Sequence, residues 1–262
     1  MIRAHPSPWS RQHARHPKEL ATVRARSCSD VAYHPQVPTS RTADLSHLHV
    51  VVPVRALSGG KRRLSGVLAP GRRAALVDGL LRRTLTVTAA WPAAEATYVV
   101  SPDPAVMPIA RAGGARPLLQ PGDGLNDAIL AARAAAVDDG ATAILVLPAD
   151  LPVLEAAALE AILEAADAAL AAGAGQPVVV IAPADARSGT NALLLSPPDA
   201  IEPGFGPGSL ERHLRAAAAA GASTQLVVDA ALGFDLDTPD DLALLDAERL
   251  AQLLTPAPLP TP

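Results

Sequence analysis

The 262-residue chain has few of the side chains on which much enzyme chemistry relies. Its one cysteine, Cys28, excludes an internal disulfide and any cysteine-cluster metal site. Aromatic residues make up 2% of the chain, too few to build a base-stacking surface for nucleic acid. Of seven histidines, six (His5, His13, His16, His34, His47, His49) fall before residue 50, leaving only His213 in the body. A Ser-His-Asp triad, a Cys-His pair or a histidine-built zinc site is thereby nearly excluded. Lysine is equally sparse: there are twenty arginines but only two lysines, Lys18 and Lys61. No apolar run reaches the roughly eighteen residues of a membrane span, so none is expected. The basic N-terminus lacks the apolar centre of a secretory signal, and a cytoplasmic location is expected.

Apolar residues make up 49% of the chain, enough for a core that must be Ala, Leu and Val, as in packed helices and parallel strands. The formal charge of −4 hides an asymmetry. Residues 1–47 carry seven basic residues against three acids, leaving fifteen against twenty-three beyond them. An acidic body disfavours a polyanionic partner, so neither nucleic acid nor a membrane is expected. Asp, Lys, Arg, Ser, Thr and backbone amides remain for chemistry, a set suited to magnesium and phosphates.

Residues 1–47 are rich in Pro, Arg, His and Ser without periodicity and read as a disordered extension or an upstream mis-start. A single domain over 48–254 follows, and 255–262 reads as a loose Pro-rich tail. Strands are predicted at 49–54, 96–100, 115–119, 143–147, 178–182, 192–195 and 225–228. Helices are predicted at about 71–90, 104–112, 124–137, 155–172, 209–220 and 240–253, the helix at 124 opening from the turn Gln120-Pro121-Gly122-Asp123-Gly124. Strands alternating with helices mean an α/β fold with a parallel, doubly wound sheet.

The stretch Ala143-Ile144-Leu145-Val146-Leu147 is apolar without alternation, as in a strand covered on both faces. Asp150 follows between Pro148 and Pro152, where ladder pairing and a helical turn are both blocked. Open parallel sheets bind ligands at the carboxyl ends of their strands, so this carboxylate suits a divalent metal, with an ordinary loop acid as the plainer alternative. Gly59-Gly60-Lys61 lies in the loop after the first strand, where backbone amides and a basic side chain hold phosphates. The loop has neither Walker spacing nor a GxGxxG fingerprint. The body's one lysine there reads as a phosphate ligand, because a compact ammonium can follow a moving phosphate where a guanidinium fork cannot.

Asp235 and Asp237 sit in an extended segment and are expected on opposite sides, one entering the cleft and one bracing the loop. Two acids meeting Asp150 would make an oxygen-ligand magnesium site, with the Lys61 ammonium opposite it. Thr238-Pro239-Asp240-Asp241 is a good helix start. Ser209, after Gly206-Pro207-Gly208, offers an anion a hydroxyl and a helix N-terminus, or is simply a cap. His213, one turn further, faces the same anion or is a partly buried helix residue. Leu125 and Asn126, at a helix start, either cap it or pack against and hydrogen-bond a purine base.

In order along the chain come Val52-Pro53-Val54-Arg55, Lys61-Arg62-Arg63-Leu64, Gly124-Leu125-Asn126, Asp150-Leu151-Pro152, Gly189-Thr190-Asn191, Phe205-Gly206-Pro207-Gly208-Ser209 with His213, and Asp235-Leu236-Asp237-Thr238-Pro239. Over about residues 49–247 this series resembles the 2-phospho-L-lactate or phosphoenolpyruvate guanylyltransferases of coenzyme F-420 biosynthesis. The resemblance implies a single-domain Rossmann-like nucleotidyltransferase (GT-A-like) fold, mostly parallel with helices on both faces. It implies GTP as donor, a small phosphorylated three-carbon acid as acceptor, release of pyrophosphate, and a monomer or homodimer. Acceptor contacts would be Thr190, Gly206 and Ser209; Mg2+ ligands, Asp150, Asp235 and Asp237. GTP phosphates would lie near Arg55, Lys61 and Arg63, with Lys61 and Asp150 as the catalytic pair and Leu125 and Asn126 at the base. Arg55 departs from the family's usual Lys after Pro-Val, and Arg62 from a small polar residue.

A molybdenum-cofactor guanylyltransferase or a sugar-phosphate nucleotidyltransferase on the same fold is the nearest alternative. Such enzymes usually carry an LxAGxGxRM-type loop, which Ala56-Leu57-Ser58-Gly59-Gly60 does not reproduce. A nucleotide-binding domain without turnover is the other, though three clustered acids would be costly there without a metal.

Overall fold

Strand β1 (Leu48–Pro53) is buried at all six residues, because it lies mid-sheet with helices on both faces. In this computed structural model the described residues are 42–120, 124–173, 175–184, 188–255 and 259. The other strands are β2 (Ala94–Ser101), β3 (Arg116–Leu119), β4 (Ala143–Val146), β5 (Val178–Pro183), β6 (Thr190–Ser196) and β7 (Ser223–Leu226). They form one seven-stranded sheet in the order β3-β2-β1-β4-β6-β5-β7. All pairings are parallel except those of β6, which runs antiparallel to both β4 and β5. The sheet is therefore mostly parallel rather than wholly so. The link from β5 to β6 is too short for the crossover that a parallel neighbour needs, roughly a dozen residues or more.

The helices are α1 (Pro70–Ala89), α2 (Val106–Ala112), α3 (Leu125–Asp138), α4 (Ala156–Ala172), α5 (Ser209–Ala219), α6 (Ala230–Gly233), α7 (Pro239–Ala243) and α8 (Ala247–Leu254), with a 3-10 turn at Arg62–Gly66. Side chains alternate across the central strands: Val50, Val52 and Leu145 pack with α1, α2 and α4, while Val51, Ile144 and Val146 pack with α3 and α5. Both faces are thus apolar, which explains the unbroken apolar runs in the strands.

Three boundaries differ from expectation. Residues 42–47 belong to the packed body: Ala43 is buried, and the Asp44 N–H donates to Ser196 Oγ at 2.8 Å. The expected helix 240–253 is two helices: α7 ends at Ala243 with Leu244 as its cap, and Asp246 starts α8 by accepting from the Arg249 N–H at 2.6 Å. β7 starts two residues before the expected Gln225, and Val228 lies exposed beyond it. The expected extension over 1–41, the turn residues Pro121, Gly122 and Asp123, and most of the tail lie outside the described residues. Leu259, from that tail, packs on the core.

A third apolar cluster joins Leu64 of the 3-10 turn, Leu68, Leu76 and Leu80 of α1, Leu236, and Leu253 of α8. The close crossing of α1 and α8 depends on Gly79, where an added Cβ would meet the Leu253 carbonyl oxygen at 1.8 Å. Gly79→Ala should therefore unseat α8 at a cost of about 1–3 kcal/mol, read as a lowered urea midpoint. An unchanged midpoint would mean that this contact does not hold α8.

Candidate active site

The order of the sheet reverses between β1 and β4, since β1, β2 and β3 run outward on one side and β4 starts the other. In open α/β sheets the crevice at that point, at the strands' carboxyl ends, takes the ligand. Here the loop leaving β1 carries Lys61 and the loop leaving β4 carries Asp150.

Asp150, Asp235 and Asp237 converge at this crevice, with one oxygen from each lying within 4.8 Å of the others. That spacing suits a hard divalent cation, whose oxygen ligands stand about 2.0–2.6 Å from the ion. Asp235 and Asp237 do not point to opposite sides as expected. Residues two apart in an extended segment share a face, and it is Leu236 between them that turns away, fully buried. The Leu236 N–H donates to the Asp150 carbonyl at 3.0 Å, stitching the two acid-bearing loops together. Asp241 braces the segment from below: its Oδ2 accepts the N–H of Asp237 at 2.8 Å and of Thr238 at 2.6 Å, and Thr238 Oγ1 accepts from the Asp241 N–H.

Lys61 does not stand opposite the acids but among them. Its Nζ donates to Asp237 Oδ1 at 2.8 Å and to Asp150 Oδ2 at 3.2 Å, with its side chain 10% exposed. Burial pulls the ammonium's pKa down, but the Asp150 and Asp237 charges and hydrogen bonds outweigh it, so the net shift is upward. Lys61 is held charged at neutral pH. Its backbone is left-handed (φ 50°), and three residues later Leu64 is buried in the cluster that also takes Leu236. Arg63 is more open, at 67% exposure, with Nη1 3.6 Å from Asp237 Oδ2.

Arg55 and Leu125 line a common cleft with Pro53, Val54, Pro102, Gly124 and Ala128, where the loop after β1 meets the start of α3. Asn126 does something the sequence did not suggest. Its Nδ2 donates to the Phe205 carbonyl at 3.2 Å and its Oδ1 accepts the Phe205 N–H at 2.8 Å, clamping the loop before α5. Arg212 holds the same loop from the other side, through Nε and Nη2 to the Gly204 carbonyl and Nη1 to that of Pro207. Gly206 (φ 120°) and Gly208 (φ 71°) adopt backbones that only glycine takes easily. Gly208, not Ser209, is the cap of α5; Ser209 is the first helical residue and is buried.

Thr190, Gly206 and Ser209 are brought together. The Leu210 N–H donates to the Ser188 carbonyl at 3.2 Å and the Ser209 N–H to that of Gly206 at 3.0 Å. His213, 1% exposed, links the two segments: Nδ1 lies 2.9 Å from Thr190 Oγ1, and Nε2 accepts the Gly204 N–H at 2.8 Å. Phe205 packs edge-on against its ring at 5.1 Å. Burial, helped by the Arg212 charge, lowers the His213 pKa to about 4. Asn191, beside Thr190, donates to the carbonyls of Leu232 and Gly233 at 2.8 and 3.1 Å and so tethers the segment that leads to Asp235. The sequence offered no signal for that role beyond a buried-strand Asn.

A doubly wound sheet with acids clustered at its switch point suits metal-assisted chemistry on a phosphorylated ligand. A solved nucleotidyl transferase from Methanothermobacter shares the fold, with a TM-score of 0.56 at 18% identity over 79% of this chain and 99% of that one. The chain belongs to the CofC-like guanylyl transferase family, whose model matches residues 48–246. A phosphoenolpyruvate guanylyltransferase of Rubrobacter xylanophilus is 48% identical over 197 residues, which cover 75% of this chain and 92% of that protein. A 3-phospho-D-glycerate guanylyltransferase of Phenylobacterium zucineum is 35% identical, over 73% and 86% respectively. Among the described residues no helix is long and apolar enough to cross a membrane.

The depressed His213 pKa makes a prediction. Between pH 6.5 and about 4 the unfolded chain binds a proton at His213 that the folded chain does not. Stability should therefore be full above pH 6.5 and fall as pH drops through this window. In urea titrations across it, His213→Gln should show a shallower acid loss; an identical slope would mean that His213 is not held neutral.

Proposed function

We propose that this chain transfers GMP from GTP to the phosphate of phosphoenolpyruvate, releasing pyrophosphate and forming enolpyruvyl-diphospho-guanosine as a step toward coenzyme F-420. The observation that carries the reading is the convergence of three carboxylates and one ammonium at the sheet's switch point. The acceptor is chosen because the relative from Rubrobacter xylanophilus, the more similar of the two guanylyltransferases, is named for phosphoenolpyruvate. The reading includes a cytoplasmic location.

In this reading Asp150, Asp235 and Asp237 hold Mg2+, which would neutralise triphosphate charge and stabilise the negative charge that develops on the leaving pyrophosphate. Lys61, Arg63 and Arg55 line the triphosphate path, and Leu125, in the cleft with Arg55, packs against the guanine. Asn126, with one donor and one acceptor engaged by Phe205, retains a second N–H for the base. Thr190, Gly206 and Ser209 bind the acceptor, whose phosphate oxygen attacks the α-phosphorus in line with pyrophosphate. That oxygen is already an anion, so no general base is needed, in keeping with a neutral, buried His213. The protein's task is to bring two polyanions together, and good positioning can supply on the order of 7–11 kcal/mol of the barrier.

Pyrophosphate release with GTP, Mg2+ and a panel of acceptors tests the reading. Turnover is expected with phosphoenolpyruvate; silence with every three-carbon phospho-acid alongside turnover of a sugar phosphate would reject it. Chelation should abolish the activity and added Mg2+ restore it. Asp150→Asn should lower kcat by ~100-fold or more with the urea midpoint little changed, and near-normal turnover would remove Asp150 from the metal site.

A further inference from the structure

We propose that His213 is a positioning residue that commits the Thr190 hydroxyl to donate its proton, so that it meets an acceptor oxygen as a fixed donor. The inference rests on the proposed function, in which Thr190 contacts the acceptor. A backbone N–H can only donate, so the Nε2 that receives the Gly204 N–H must present its lone pair. The one proton of the neutral imidazole is then on Nδ1, where its partner at 2.9 Å is Thr190 Oγ1. Thr190 therefore accepts, and its own hydroxyl proton has no acceptor among the described residues. A hydroxyl fixed in that state complements a carboxylate or phosphate oxygen, which can only accept.

The surroundings hold the tautomer in place. His213 is buried under the edge-on Phe205 ring, so water does not exchange for either of its partners. Gly204 is fixed independently, since its carbonyl takes two bonds from Arg212, and Phe205 is clamped by Asn126. The Gly204 N–H thus points at Nε2 by the loop's own construction rather than by the histidine's preference. An imidazolium, which cannot accept from Gly204, does not fit.

Two isosteric variants separate the two ends of the ring. The amide nitrogen of His213→Asn reaches the Nδ1 position and keeps a donor to Thr190. The amide of His213→Gln reaches the Nε2 position, accepts from Gly204 and leaves Thr190 without its donor. With phosphoenolpyruvate as acceptor, H213Q should raise the acceptor KM about tenfold, the loss of one oriented hydrogen bond, with the KM for GTP unchanged. H213N should stay within about threefold of the parent. Thr190→Val, which removes the donor itself, should cost at least as much as H213Q, and the double variant should be no worse than Thr190→Val alone. If Thr190→Val leaves the acceptor KM unchanged, Thr190 does not touch the acceptor, and both its proposed contact and the positioning role fall while the guanylyl transfer stands. If Thr190→Val raises it and H213Q does not, or H213Q raises both KM values equally, only the positioning role is overturned. Should H213Q fail to fold, the remaining pair decides: affinity kept in H213N but lost in Thr190→Val supports the role, and affinity lost in both overturns it.

Discussion

Three carboxylates repel one another, and they share a corner of this protein because an ammonium sits among them. Lys61 reaches Asp150 and Asp237 at once, and their attraction more than offsets the cost of burying it. Electrostatics alone would not place it there. Leu64 and Leu236 do so, since both are buried in one small apolar cluster closed by α1 and α8. Each is a short step along the chain from the charged groups, so packing the leucines sets the positions of the charges. Dispersion and burial fix the geometry, and the geometry makes the charges compatible.

The glycine loop before α5, the proposed acceptor side, is organised differently, by hydrogen bonds to backbone rather than by apolar packing. The loop from Gly204 to Gly208 needs glycine at Gly206 and Gly208 for its shape, so it has little side-chain bulk with which to hold itself. Asn126, Arg212 and His213 hold it instead, each from a different part of the structure or the following helix. Asn126 stands at the start of α3, next to Leu125 in the cleft with Arg55, so the loop is clamped by a helix that also borders the place proposed for the donor. The two halves of the site share one scaffold.

β6 explains how this is possible. A parallel strand ends at the binding edge and hands the chain on to a loop there. As an antiparallel strand, β6 offers its beginning instead, so Thr190 and Asn191 stand at the active edge as ordered strand residues. Thr190 turns to the Gly204–Gly208 loop through His213, and Asn191 to the carbonyls of α6 ahead of Asp235. Adjacent residues of one strand thus brace the glycine loop and the acid side.

Much of this was legible in the chain. Apolar runs and helical periodicity marked the strands and main helices within a few residues, because two-face burial imposes an unbroken apolar pattern. The order of motifs from Val52 to Pro239 indicated the family, and the single body lysine and the acids after strand ends pointed to groups that the fold brings together. Local sequence could not reveal which way β6 runs, that the last helix breaks ahead of Asp246, or that Asn126 clamps Phe205 79 residues away. Nor could it put Lys61 between Asp150 and Asp237, or turn His213 into a link between Thr190 and Gly204. The sequence by itself determined which elements form and which groups are available for chemistry, since both follow from residue type and near-neighbour spacing. Which groups meet was decided by the tertiary structure alone, because a salt bridge or a tautomer depends on ångström distances between segments that chain order leaves far apart.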